Sequence, residues 1–337
     1  MDLAQPSKTD FRKPILFLFV LSPAIGELLS GSSPPLAFFN PLAFSLLCTL
    51  YGSGALLVRD YARRWKKGWY SILLLGAAYG IIEEGIMVRS FFSPTWKDLG
   101  VLGTYGRWLG VNWVWAEWLT IYHSIFSITI PILLVELTNP AVRSQVWLSQ
   151  KQRWLFRSLF VLAVLLGFAA FPYDASATAL VGCVVAVLGL TWLAKRIKPM
   201  IPTSQNLKVS KKLVITGVSV PLTFFFFFTG LGPATIPWAG GTMIAGAFIV
   251  FAFERLLRRW AKQGFSDLQR LSLVSGALGF FIGLSPILEL KGALGMTSVG
   301  IGFFFLLFKM RRRVILRVSG LVPYISPQLM PSETPLR

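Results

Sequence analysis

Long apolar runs alternate with short, mostly basic connectors along nearly the whole chain. A helix needs roughly 20 mainly apolar residues to cross the hydrocarbon core of a bilayer. Ten runs reach or approach that length, near residues 14–31, 37–58, 69–90, 111–137, 154–172, 177–194, 212–230, 236–255, 271–289 and 294–309. The hinges after the first, fifth, seventh and ninth are short, which predicts helical hairpins. The expected fold is all-α: a polytopic integral membrane protein with about ten transmembrane helices over 14–309. It is flanked by a tail at 1–13 and by a basic, then Pro-rich tail at 310–337.

Charge placement orients these helices. Of the 33 Lys and Arg residues, 29 fall in the N-terminal tail, 59–67, 143–157, 195–212, 255–270 and the stretch from Lys309 onward. The intervening connectors hold four: Arg89, Lys97, Arg107 and Lys291. Basic residues are retained on the cytoplasmic side of a membrane, so both termini are expected in the cytoplasm. The first run, in "KTDFRKPILFLFVLSPAIGELLSGSS", also has the basic start, apolar centre and small residues of a signal sequence. Glu27 and its length favour a retained helix.

Composition agrees with this reading. Hydrophobic residues make up 54% of the chain and charged residues 14%, against about 25% charged in a soluble domain. The net charge of +19 lies in short clusters between apolar runs. That pattern fits a bilayer with an anionic cytoplasmic leaflet as partner, and no nucleic acid. Cys48 and Cys183 stand apart in apolar runs, so they are expected to be packing residues. Walker loops, Rossmann fingerprints and zinc-ligand spacing are missing from the sequence. No metal and no cofactor are therefore expected, and a membrane peptide, a lipid or a small solute is the candidate ligand.

Ionisable groups inside spans cost about 2.5–3.5 kcal/mol or more at the bilayer centre, so each needs a reason. They are Glu27, Glu83, Glu84, Glu117, His123 and Glu289, with Glu136 and Glu254 near cytoplasmic ends and expected to face water or Arg neighbours. The segment "YGIIEEGIMVRSFFSP" at 79–94 carries two of the acids side by side. Glu83 lies roughly 21 Å up its helix at 1.5 Å per residue from Trp69. Glu27 reaches a similar height on the first helix, Glu117 falls in the outer third of the fourth, and His123 lies near its middle. The acids therefore gather in the outer half of the membrane.

Gly76, Gly80 and Glu84 recur every four residues, a spacing of small residues that lets helices approach closely in lipid. This is either a packing seam capped by a polar residue or a seam that carries Glu84 into a polar pocket. In "VNWVWAEWLTIYHSIFSITIP" on the fourth helix, Asn112, Thr120, His123 and Ser127 share one face, with Glu117 and Ser124 on its flank. Glu27, Glu117, Asn112, Thr120, Trp113 and Ser127 are the expected pocket-lining or substrate-binding residues. Trp113 belongs to a Trp-rich outer segment that reads as an interfacial aromatic belt or as a stacking surface for a headgroup or sugar.

Adjacent glutamates followed by an Arg in one transmembrane helix, with a His in the next, resemble the CAAX-processing and bacteriocin-processing (CPBP) intramembrane glutamic proteases. The resemblance covers about residues 79–127. It implies that Glu83 or Glu84 activates water, that Arg89 orients the carboxylates and that His123 stabilises the oxyanion. Three departures stand beside it. Four residues rather than three separate Glu84 from Arg89, Leu119 occupies a usual Phe position, and His123 is the sole histidine. At 100° per residue Glu84 and Arg89 fall about 140° apart, and only a π-bulge would bring them together. Two other function classes fit the sequence: a transporter or lipid- or cation-binding protein with helices broken at Pro23, Pro131, Pro221 and Pro286, and a membrane scaffold without chemistry.

The charge pattern makes a direct topological prediction. In a background with Cys48 and Cys183 replaced by Ala, Lys97→Cys reacts with an impermeant maleimide added to intact cells, and Lys66→Cys reacts only after permeabilisation. The reverse labelling pattern would refute the orientation.

Overall fold

The computed structural model describes residues 11–171, 173, 175–198, 211–260 and 264–318. Ten long helices run through them. They are α1 (Arg12–Pro23, continued as a π-helix over Ala24–Leu29), α2 (Pro41–Arg64), α3 (Trp69–Met87), α4 (Trp113–Thr138), α5 (Gln150–Ala170), α6 (Ala177–Arg196), α7 (Lys211–Thr235), α8 (Ala239–Trp260), α9 (Asp267–Leu290) and α10 (Met296–Val318). Each covers most of one apolar run in the sequence. Eight of them, α2 to α9, are long and apolar enough to cross a membrane. The terminal pair carries more charge: Arg12, Lys13 and Glu27 in α1, and Lys309, Arg311, Arg312, Arg313 and Arg317 in α10. Of the expected tails at 1–13 and 310–337, residues 1–10 and 319–337 lie outside the described residues, while 12–13 and 310–318 are helical, in α1 and α10.

Burial sorts the helices into layers. More than half of the apolar window is buried in α2, α3 and α4 (56–61%), against 6–11% in α5, α6 and α8. The first group, with α1, forms the core around Leu18, Ile25, Tyr51, Leu56, Ile72 and Ile128. The second presents rows of exposed Leu, Val and Phe, such as Leu162, Val185 and Phe248, the composition a lipid-facing surface requires. At the α7–α9 crossing Gly217 and Gly276 abut each other's helix backbones, so no side chain separates the two. That is the small-residue packing expected where lipid gives helices no hydrophobic drive to associate.

The connector between α3 and α4 folds back over the helix ends. Its residues form a two-residue hairpin, β1 (Arg107–Trp108) and β2 (Val111–Asn112), paired antiparallel. Leu109 and Gly110 make the turn with φ of 51° and 78°, the double left-handed geometry of a tight hairpin turn. Asn112 then caps α4 by accepting from the Trp115 amide at 3.0 Å and donates from Nδ2 to the Leu102 carbonyl. This sequence-selected residue is thus a structural cap rather than a pocket lining.

At the opposite end of α2, charge is neutralised internally. Glu136 of α4 accepts from Arg59 Nε at 2.9 Å and from Arg63 Nη2 at 2.6 Å. Arg59 also donates to the carbonyls of Gln145 and Arg143 and stacks 3.2 Å from the centroid of Trp147. Glu136 therefore has the Arg neighbours expected of it, supplied by α2. Glu254 bonds to Arg258 at 2.5 Å and accepts from the Tyr70 hydroxyl.

Breaking a buried pair from one side leaves an uncompensated charge, typically at a cost of about 3–5 kcal/mol. Arg59→Ala is expected to lower stability by about that amount, read from denaturant unfolding in detergent. A change below about 1 kcal/mol would show that Arg59 and Glu136 do not hold α2 to α4.

Candidate functional site

Five of the long helices contain a π-helical segment, and four of these segments meet at one polar cluster; the fifth is Phe227–Leu231 in α7. The four are Ala24–Leu29 in α1, Cys48–Gly52 in α2, Ile82–Met87 in α3 and His123–Thr129 in α4. Each carries a polar residue of one cluster: Glu27, Tyr51, Glu83 with Glu84, and His123 with Ser127. Single π turns inside α-helices recur at functional sites because they re-aim side chains at the expense of helical regularity.

The local sequence accounts for the turn in α4. Pro131 has no N–H to offer the Ser127 carbonyl four residues back. Ser22 of α1 takes its place, donating from Oγ to that carbonyl at 2.6 Å. In α3 the Val88 amide reaches the Glu83 carbonyl, five residues back, at 2.9 Å. The chain then leaves the helix at Arg89, whose φ of 58° is left-handed.

The glycine stripe sets the distance between α3 and α4. A Cβ on Gly76 would lie 2.9 Å from Ser124 Cα, and one on Gly80 would lie 2.9 Å from His123 Cβ and 3.4 Å from Thr120 Cα. On α1, Gly26 plays the same part towards Ser127 Oγ and the Tyr51 ring, both 2.8 Å from such a Cβ. The polar residues meet because nothing larger than hydrogen stands between their helices.

His123 sits between the two carboxylates. Its Nε2 is 3.0 Å from Glu84 Oε1 and its Nδ1 is 3.2 Å from Glu83 Oε2. Nδ1 also lies 3.0 Å from Ser127 Oγ. The second Glu84 oxygen accepts from Ser90 Oγ, which in turn accepts from Trp115 Nε1 at 3.0 Å. Glu84 is therefore held at both oxygens. Glu83 is not: its Oε2, though close to the ring, has no hydrogen bond of good geometry, and neither has the Tyr79 hydroxyl. All three ionisable residues are at most 8% exposed.

Three tyrosines wall the imidazole, with Tyr51, Tyr79 and Tyr122 ring centroids 6.1, 6.1 and 5.2 Å from it. Tyr51 donates to Glu27 Oε1 at 2.5 Å, and Ser33 donates to Glu27 Oε2 at 2.6 Å. Glu27 thus joins the site through Tyr51. These tyrosines, Ser90 and Trp115 have no sequence signature that marks them. Only the four-residue step from Tyr79 to Glu83 and the adjacency of Tyr122 to His123 place any of them on the right face.

Other sequence-selected residues stand apart. Arg89 does not orient the carboxylates, despite the π turn before it. Its guanidinium donates to the carbonyls of Phe168 and Phe171 and lies 3.8 Å from the Phe168 ring centroid. The left-handed backbone at Arg89 swings the side chain towards α5. Glu117 faces α8, where its Oε1 would be 2.9 Å from a Cβ on Gly246, and it makes no contact with the cluster. Trp113 is half-exposed and donates from Nε1 to the Trp108 carbonyl at 3.1 Å. Thr120 borders the seam, beside Gly80.

A metal-capable group was not legible in the sequence. Glu83, Glu84 and His123 each offer one ligand atom, all within 4.8 Å of one another. Linear spacing concealed it, because Glu84, the nearer acid, and the histidine are 39 residues apart on separate helices.

The fold and the buried polar cluster define a multi-pass helical membrane protein. The chain belongs to an uncharacterized membrane protein family, whose model matches residues 16–298. No curated protein and no solved structure matches it.

Gly76→Ala places a methyl against the backbone of Ser124, which cannot yield as a side chain can. It is expected to destabilise by about 1–3 kcal/mol. Gly182→Ala, where a Cβ meets nothing within 4 Å, is expected to be neutral or slightly stabilising. Equal thermal midpoints for the two variants in detergent would show that the seam does not set the α3–α4 distance.

Proposed function

We propose that the chain is an intramembrane hydrolase of glutamic type, acting on a membrane peptide or lipid. The observation that carries this reading is the contact of His123 with both Glu83 and Glu84 at 3.0–3.2 Å, within direct proton-transfer reach. The partners assign the roles. Glu84, occupied at both oxygens, fixes the imidazole. Glu83, with one oxygen unbonded, is the general base.

Glu83 takes a proton from water as the water oxygen attacks the substrate carbonyl carbon. The Tyr79 hydroxyl donates to the resulting oxyanion, and the His123 ring, held through Nε2 by Glu84, stabilises it electrostatically. Collapse breaks the bond to the leaving nitrogen or oxygen, which takes the proton from Glu83. In the orientation expected from the basic connectors, this chemistry occurs in the outer half of the bilayer.

A second reading, proton-coupled transport, is favoured by the four π turns that meet at one polar cluster. Helices interrupted around a buried polar site are a common transporter device.

Membranes carrying the native chain are compared with membranes carrying Glu83→Gln, by mass spectrometry of peptide termini and lipids. Cleavage products are expected to fall by a factor of about 10²–10⁴ in the variant. Identical product profiles, with a changed proton flux in reconstituted vesicles, would exclude hydrolysis and favour transport.

A further inference from the structure

Charge balance at the cluster is incomplete. Glu27, Glu83 and Glu84 converge where the one imidazole is the sole cationisable group in contact with them among the described residues. Arg89, the nearest basic residue in sequence, is committed to backbone carbonyls on α5. A buried carboxylate must be paired, protonated or bound to metal. Glu27 is relieved by Tyr51 and Ser33, and Glu84 by Ser90 and His123.

Glu83 is relieved least. Its Oε2, 3.2 Å from His123 Nδ1, is buried without a hydrogen bond of good geometry, and so is the hydroxyl of Tyr79, whose ring flanks that of His123. One of the three metal-capable side chains thus keeps an oxygen without a good hydrogen bond, and the unpartnered Tyr79 hydroxyl stands beside the group. Unpaired buried polar atoms are rare in folded proteins, and each calls for an explanation.

We infer that Glu83, Glu84 and His123 form a binding site for one divalent first-row transition ion, of which Zn2+ is the representative. Two carboxylate oxygens and an imidazole nitrogen suit Zn2+, Mn2+ or Fe2+, whereas Mg2+ and Ca2+ favour all-oxygen sets. Donors on one ion at about 2.0–2.2 Å stand roughly 3–4 Å apart, and the 4.8 Å span of the three ligand atoms closes to that with rotamer adjustments. Three protein ligands leave a position open, as in catalytic rather than structural zinc sites. Ser127, Ser90 and Tyr79 then act as outer partners that orient the ligands.

The inference concerns the site of the proposed hydrolase and rests on that reading only for the use made of the ion: with the ion bound, Glu83 would be a ligand rather than the free base, and the ion would activate the water in its place. Binding itself is a separate question, and the sequence makes it unusually easy to read. Because His123 is the only histidine, imidazole scattering from a bound ion has one source.

The full chain, purified in detergent with any histidine tag removed and stripped of metal, is titrated with Zn2+ against a chromophoric chelator. X-ray absorption is then measured on the loaded protein. One equivalent should bind, with a nitrogen and oxygen shell at about 2.0–2.2 Å and imidazole scattering. His123→Ala, Glu83→Gln and Glu84→Gln should each weaken binding by more than the roughly 10–100-fold typical of outer-shell changes. Glu289→Gln should leave it unchanged.

Absence of stoichiometric binding, or a bound ion without imidazole scattering in the native chain, overturns the inference whether or not the variants fold. Hydrolysis that persists in a chain that binds no Zn2+ would sink the metal site and leave the hydrolase standing. Stoichiometric Zn2+ at His123 in a chain without hydrolytic products would do the converse.

Discussion

The structure turns on one contact, the imidazole of His123 lodged between the carboxylates of Glu83 and Glu84. In a bilayer each of these groups alone would be costly to bury. Together they share the burden, but only if α3 and α4 come close enough for their side chains to touch. Gly76 and Gly80 permit that approach, and Gly26 brings α1 and its Glu27 to the same place. The packing of the inner helices and the electrostatics of the cluster are thus a single constraint seen from two sides.

The π turns are the backbone's share of this arrangement. Regular α-helix would keep each of the four segments satisfied internally but fix where its side chains point. At α4 the missing N–H of Pro131 frees the Ser127 carbonyl, and Ser22 supplies the donor from α1. A break in one helix becomes a tie to another. The Arg59–Glu136 network at the far end of α2 and α4 balances charge with fixed partners. The cluster instead leaves the Glu83 Oε2 and the Tyr79 hydroxyl without hydrogen bonds of good geometry.

Much of the fold is legible in the sequence because the signal is redundant. Each apolar run is long, and basic residues mark alternate connectors. The runs beginning near 69, 177 and 212 begin their helices within a residue or two, while α10 extends its run well into the basic stretch. The site was legible in its centre and not at its edges. Glu83, Glu84, His123, Ser127 and Glu27 stand out because ionisable or polar groups are rare in spans. Tyr51, Tyr79 and Ser90 do not, since tyrosine and serine are ordinary residues of membrane helices. Arg89 and Glu117 misled for opposite reasons. A left-handed residue turned the first away, and the second is on the α4 face packed against α8, a pairing no linear pattern specifies.

The most direct test of the central claim uses the same solitary histidine. With ring-15N histidine incorporated into the full chain, solid-state NMR in lipid reports on His123 alone. Both ring nitrogens are expected to be shifted by hydrogen bonding, Nε2 to Glu84 and Nδ1 to Ser127, with Glu84→Gln moving the Nε2 signal and Glu83→Gln, through its 3.2 Å approach, the Nδ1 signal. Ring signals like those of free imidazole, unmoved by either substitution, would mean that the three groups do not meet and that the site as described does not exist.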